Sequence, residues 1–279
     1  MTSRELFRAD RLLAQSAATG PVLGLDTGTA IASLALVGNG RLLAELSRSA
    51  GPHGASLPGA VAELLDSARI GICDLAGVAV AIGPGSFTGL RIALSYAKGM
   101  VAASGGLICG VPSLDAIALS ALESGAAEAG AAVCALLDAR KGEVYAALYR
   151  IVPDGLHKLS DDLVVTLDWL ISRLPDKTVL AGDRSAADAE SLMGRQGRRA
   201  TVLAGSKLAP TGRLVAALGA ASLAHGDAEH AVILEPLYVR PPEATLKVPG
   251  AFRTKADTEG LWTKENSISF SGLQPTTRS

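Results

Sequence analysis

The order of strand-like and helix-like segments repeats once along the chain, and that repeat excludes most folds. VLGLD (22–26), IASLALV (31–37) and RLLAELSRS (41–49) read as three consecutive strands, with Gly38-Asn39-Gly40 as a tight hairpin signal. The stretch ASLPGAVAELLDSARI then puts Leu57, Ala60, Val61, Leu64, Leu65 and Ala68 on one helical face and Glu63, Asp66 and Arg69 on the other. A buried strand GVAVAIG, a helix from about Thr88 to Ala103, a strand LICGV and a helix SLDAIALSALE follow. In the second half AAVCALLDA (131–139), EVYAALYRI (143–151) and KLSDDLVVTL (158–167) again read as three strands. A helix at 168–174, the strand TVLAGD, the helix AADAESLMG, the short strand ATVLAG and a closing helix TGRLVAALGAASLAHG complete the series.

Two βββαβα units in one chain predict an α/β protein with the two-lobed ribonuclease H-like architecture, shared by actin-like ATPases (the ASKHA fold) and sugar kinases. The expected divisions are an N-terminal extension (1–20), a first lobe (21–112), a second lobe (113–209), a closing helix and segment (210–244) and an irregular tail (245–279). The helix at 210–225 has the option of packing back on the first lobe. Hydrophobic residues make up 48% of the chain but rings only 4%, so Ala, Val, Leu and Ile must fill the core. In the extension, Leu6, Leu12 and Leu13 beside Arg4, Arg8 and Arg11 suggest an appended helix or a loose arm; Glu5 and Asp10 argue against a targeting peptide. No apolar run is long enough for a membrane span, which predicts a cytoplasmic protein with no membrane partner.

Charge and ligand chemistry are thin. A net charge of −1 supplies no field for nucleic acid. Cys73, Cys109 and Cys134 are read within apolar strand-like runs and make no CxxC pair; His53, His157, His225 and His230 include no i, i+4 pair, so neither a disulfide framework nor a metal site is expected. Asp161-Asp162 reads as a solvated strand position, and Gly194–Arg199 (GRQGRR) as a surface loop.

Two glycine-containing turns remain. In Asp26-Thr27-Gly28-Thr29, at the end of the first strand, backbone and hydroxyls could meet phosphate oxygens. The same four residues equally suit a capped turn in which Gly28 supplies a positive φ. In Gly83-Pro84-Gly85-Ser86-Phe87-Thr88-Gly89, followed by Leu90 and Arg91, the Gly-Lys-Ser/Thr ending of a P-loop is missing, and so is the glycine spacing of a nucleophile elbow. It reads best as a tight strand exit in which Ser86 or Thr88 caps the next helix and Gly89 permits close packing, with anion binding at the helix start as the other reading.

That glycine loop, in the context AIGPGSFTGLRIALSYAKGM, resembles the TsaB (YeaZ) family of bacterial tRNA threonylcarbamoyladenosine biosynthesis. LGLDTGTAIASLAL, HGASLPGAVAELL, LLDARKGEVYAALY and PLYVRPP extend the likeness over residues 22–242; Gly54 after His53, the extension and the tail depart from it. The resemblance implies the ATPase fold without its chemistry: a scaffold subunit with no catalytic residue and no cofactor of its own. Such a subunit pairs with a TsaD-like, metal-binding transferase and a TsaE-like ATPase, and it meets tRNA only through that complex. A nucleotide at a partner interface, with Asp26, Thr27, Gly28 and Thr29 as candidates, and a homodimer both stay open. The predicted partner surface is a second apolar stripe on the helix after the glycine loop, with Ile92, Tyr96, Gly99, Met100 and Ala103, helped by Leu57, Val61 and Leu64 of the preceding helix. An active ATPase or small-molecule kinase, and less readily a peptidase, are the alternative readings.

Overall fold

The computed structural model describes residues 5–7, 20–39, 41–49, 57–125, 128–153, 155–204, 211–228 and 231–239. Its strands are β1 (Glu5–Phe7), β2 (Val22–Asp26), β3 (Ile31–Gly38), β4 (Arg41–Ser49), β5 (Gly77–Gly83), β6 (Leu107–Pro112), β7 (Ala132–Asp138), β8 (Glu143–Val152), β9 (Gly155–Lys158), β10 (Leu163–Thr166), β11 (Thr178–Gly182) and β12 (Ala200–Ala204). Its helices are α1 (Leu57–Ala68), α2 (Phe87–Ser104), α3 (Ser113–Glu123), α4 (Leu167–Ile171), α5 (Arg184–Arg195) and α6 (Thr211–Ala224).

One sheet runs β4-β3-β2-β5-β6, the other β9-β8-β7-β11-β12, with β1 beside β9 and β10 pairing with β8. Each opens with an antiparallel meander and closes with two strands parallel to its first. The strand order 3-2-1-4-5 is thus the same in both units, as the duplicated sequence pattern predicts.

The two sheets share one core between them, and each has a second core on its outer face. Inner-face residues Ala35, Ala79 and Val111 of one and Val133, Ala147 and Val179 of the other join a single buried cluster with α3 and α6. Both helices are apolar nearly all round, the expected pattern for helices with protein on every side. Close approach depends on small residues: a Cβ on Gly212 would come 2.5 Å from the Ser33 carbonyl carbon, and one on Gly219 would overlap Ala79. The outer faces are covered by α1 and α2 on one sheet and by α4 and α5 on the other.

Three sequence expectations change. Within the N-terminal extension, Glu5–Phe7 is a strand paired with β9, neither helix nor loose arm; the rest of that extension, the tail from 245, His53 and His230 lie outside the described residues. The single strand expected at 158–167 is broken into β9 and β10: Leu159 N still donates to Leu148 O, but Leu148 N donates to the Ser160 hydroxyl instead of a backbone carbonyl, and Asp162 in the break accepts from Lys158. Cys73 sits exposed on a 3-10 turn at Ile72–Asp74, while Cys109 and Cys134 are buried in strands. Among the described residues, no helix is long and apolar enough to cross a membrane.

Candidate functional site

The two glycine-containing turns lock into one another. Ser86 N donates to Gly28 O at 2.7 Å, and Thr27 Oγ1 donates to Gly89 O at 2.7 Å. A Cβ on Gly85 would lie 2.5 Å from Gly28 O, and one on Gly89 would overlap the Thr27 carbonyl oxygen. Ser86 caps α2, its Oγ accepting from Gly89 N at 3.3 Å. Gly83, at φ +111°, turns the chain out of β5 through Pro84 in a conformation that disfavours a side chain. Gly28, by contrast, has no positive φ; it is required for space, since a Cβ there would sit 2.9 Å from Leu90 Cδ2. The sequence reading of Gly28 as a backbone-strain position is corrected accordingly.

Asp26, at the end of β2, is buried, and its Oδ1 accepts from Gly28 N at 2.8 Å. Burial pushes its carboxyl above the usual range, opposed by the Thr211 side chain and the Gly28 amide. A carboxyl raised in the fold contributes stability below its unfolded pKa of about 3.8 and loses it as pH rises through the higher folded value. Asp26→Asn keeps the acceptor and removes the charge. It is therefore expected to raise the melting temperature at neutral pH, the two proteins converging in acid; thermal denaturation across pH reads this. Thr29 makes only a local turn, its hydroxyl donating to Ile31 O at 2.8 Å.

Helix α2 has three unlike faces. Leu90, Ala93, Leu94, Ala97, Met100 and Val101 are buried, all but Leu90 in the cluster that α2 shares with the first sheet and α1. Leu57, Val61 and Leu64 of α1 are buried in the same cluster. Of the predicted partner surface, Met100, Leu57, Val61 and Leu64 thus belong to the interior: all four are buried in the cluster that α1 and α2 share with the first sheet. Met100→Asp is consequently expected to unfold the chain rather than only release a partner, read by circular dichroism and solubility, since an unpaired buried charge costs several kcal/mol. Ile92 and Tyr96 stay partly exposed, and Gly99 and Ala103 are exposed.

Between the helices runs an open groove of about 650 Å³ lined by Leu57, Pro58, Phe87, Thr88, Arg91, Ile92, Ser95 and Tyr96. The segment 231–239 returns from α6 along the other side of α2. Leu234 is buried there, Leu237 N donates to Ile82 O at 2.7 Å, and Lys98 Nζ donates to Val232 O at 3.4 Å. Arg91 ties this strap to the groove: its guanidinium stacks on Phe87 at 3.8 Å from the ring centroid, and its Nε donates to Tyr238 Oη at 2.9 Å. The rings of Phe87 and Tyr238 lie 5.5 Å apart.

Sequence reasoning missed a buried polar cluster elsewhere. Asp115 Oδ1 accepts from Tyr149 Oη and from Lys158 Nζ, both at 2.8 Å, and Lys158 also donates to Asp162 Oδ1 at 2.6 Å. The signal was the acid in the otherwise apolar SLDAIALSALE. Asp162 is thus a buried ion-pair partner, not a solvated strand position. In GRQGRR, Arg198 donates to the carbonyls of Ile171, the last residue of α4, and of Leu174 beyond it, so this loop braces a helix end. Among the described residues no group of three or more His, Cys, Asp or Glu could hold a metal ion.

Two α/β units of identical strand order, back to back on a shared helical pair, define the actin-like ATPase fold class. The chain belongs to the family described as "TsaD: tRNA N6-adenosine threonylcarbamoyltransferase", which matches residues 47–250, and its relatives place it with the TsaB (YeaZ) proteins. It is 32% identical over 135 residues to the tRNA threonylcarbamoyladenosine biosynthesis protein TsaB of Escherichia coli K12, covering 48% of this chain and 57% of that one. It is 36% identical over 120 residues to the tRNA N6-adenosine threonylcarbamoyltransferase of Granulibacter bethesdensis, covering 37% and 32%. The match therefore spans little more than half of the first relative and a third of the second. The solved structure of YeaZ from Pseudomonas aeruginosa superposes with a TM-score of 0.63 at 26% identity, over 78% of this chain and 99% of that one.

Proposed function

We propose that the chain is a non-catalytic scaffold subunit in the biosynthesis of threonylcarbamoyladenosine on tRNA, binding a TsaD-like transferase. A TsaE-like ATPase and the tRNA are reached only through that complex, and the chain needs no cofactor of its own. The observation that carries this reading is the interlock of the two turns. The donors that an ATPase would aim at phosphate are here spent within the protein: Ser86 N donates to Gly28 O, and the Thr27 hydroxyl donates to Gly89 O. Asp26 faces inward, raised in pKa by burial, where a metal-bound phosphate site would need it ionised.

The partner surface is the part of α2 left uncovered, Ile92, Tyr96, Gly99 and Ala103, where small exposed residues let another helix approach closely. The purified chain is expected to co-elute with a TsaD-type transferase in size-exclusion chromatography and to hydrolyse no ATP alone. Ala103→Glu, at an exposed position, should keep its circular dichroism and lose co-elution. Steady ATP turnover by the isolated chain, or a variant that still co-elutes normally, would overturn the reading.

A further inference from the structure

Two loops of the second lobe, 172–177 between α4 and β11 and 196–199 between α5 and β12, meet at one end of its sheet. Lys177 N donates to Arg199 O at 2.8 Å and Arg199 N to Asp176 Oδ1 at 2.7 Å, while Arg198 reaches the Ile171 and Leu174 carbonyls. Arg173, Lys177, Arg195, Arg198 and Arg199 are thereby gathered around one acid, Asp176. The other acids of these helices stand back. Asp168 is in the first turn of α4, Asp188 and Glu190 lie about 7.5 Å or more before Arg195 along α5, and Asp183 caps the opposite end of that helix. In a chain whose formal net charge is −1 the remainder is thus acidic, and the chain-wide average hides the patch.

Not all of these charges are available. Arg198 is committed to its carbonyls, and the Arg173 guanidinium lies over the Trp169 ring, 4.0 Å from the centroid, with Nη1 donating to Trp169 O at 3.3 Å. Lys177, Arg195 and Arg199 are exposed, and among the described residues no hydrogen bond or salt bridge engages their side chains. Lys177 sits at φ +61°, a left-handed position that glycine or asparagine takes more readily, so its ammonium is carried on a backbone that disfavours lysine. We propose that this end of the second lobe is an RNA contact surface, with Lys177, Arg195 and Arg199 on the phosphate backbone and the Arg173–Trp169 pair as a plate for an unpaired base. An acidic protein would match the charges alone; the stacked pair selects nucleic acid, because bases stack on guanidinium and aromatic planes. Three cations are too few to hold RNA at cellular salt, so the patch adds its contacts to an RNA that the larger complex already holds. The identity of that RNA as tRNA rests on the scaffold reading above.

Lys177→Gly, Arg195→Gln and Arg199→Gln together remove the free cations, and glycine suits the turn at 177. Arg41→Gln, Arg69→Gln and Arg140→Gln, at exposed positions elsewhere, form a control with the same loss of charge. Fluorescence anisotropy of a labelled, unmodified tRNA transcript reads binding by the complex of this chain with a TsaD-type transferase, titrated across salt. The patch variant is expected to bind roughly tenfold or more weakly and to flatten the slope of log K against log salt by about 3, one for each cation lost. The control should shift far less, with circular dichroism and co-elution unchanged in both. The isolated chain, at ~10 mM salt where charges are felt over ~30 Å, should bind the transcript weakly and lose that binding only in the patch variant. Equal loss in the control, or an unchanged slope in the patch variant, overturns the proposal. Loss of co-elution in the patch variant overturns it too, because the cations would then meet the transferase. A chain that never co-elutes, yet binds the transcript through the patch when alone, refutes the scaffold reading and leaves this one standing.

Discussion

Lys158→Met is expected to cost about 3–5 kcal/mol at neutral pH, the range for removing one partner of a buried ion pair. The Lys158 side chain is 16% exposed and serves two carboxylates whose own exposures are 1% and 7%. Methionine fills much the same volume, so the loss isolates charge from packing. The pH dependence follows from the acids. Burial holds the Asp162 carboxyl above its usual range even with the Lys158 charge beside it to lower it. Without Lys158 that value rises further, and a raised carboxyl loses its stabilising contribution as pH climbs through the folded pKa. The variant should therefore lie near the parent below about pH 4 and fall away from it toward neutrality. In the parent, Lys158 is itself raised above 10.5 by the two aspartates, burial opposing, so its contribution persists until strongly alkaline pH. Urea denaturation at acid and neutral pH measures the difference. Equal destabilisation at both would mean that the lysine matters for packing alone.

The second large effect separates two glycines ten residues apart on α2. Gly89→Ala places a methyl into the Thr27 carbonyl oxygen, which is backbone on a strand exit and cannot swing away. Overpacking of this kind costs about 1–3 kcal/mol or more. It should also break the hydrogen bond from the Thr27 hydroxyl to Gly89 O, loosening the turn at Asp26. Gly99→Ala is the matched control: a Cβ there meets nothing within 4 Å, and the helix gains about 0.5–1 kcal/mol from relief of glycine's backbone entropy. Identical chemistry at the two sites should thus give opposite signs in thermal denaturation. Two values of the same sign would show that α2 does not rest against the turn as described.

The likeness of the two halves was readable in the chain because strand and helix periods depend on nearest neighbours: alternating or continuous apolar runs between turn residues need no tertiary knowledge. The capping serine and the tight exit at Gly83 were equally local, since a cap spans only the residues it bonds. What the sequence determined, then, was the duplicated order of elements and the fold class. Only the tertiary structure decided which apolar stripe of α2 is core. Met100 and Tyr96 are one turn apart and look alike on a helical wheel, yet the packing of α2 into the first core buries the first and leaves the second half-open. It also decided that Gly28 is needed for room rather than for φ, and that Asp115 and Asp162, forty-odd residues apart, share one lysine. Those facts come from contacts between segments distant in the chain, and periodicity carries no information about which side chain a neighbouring element will bring.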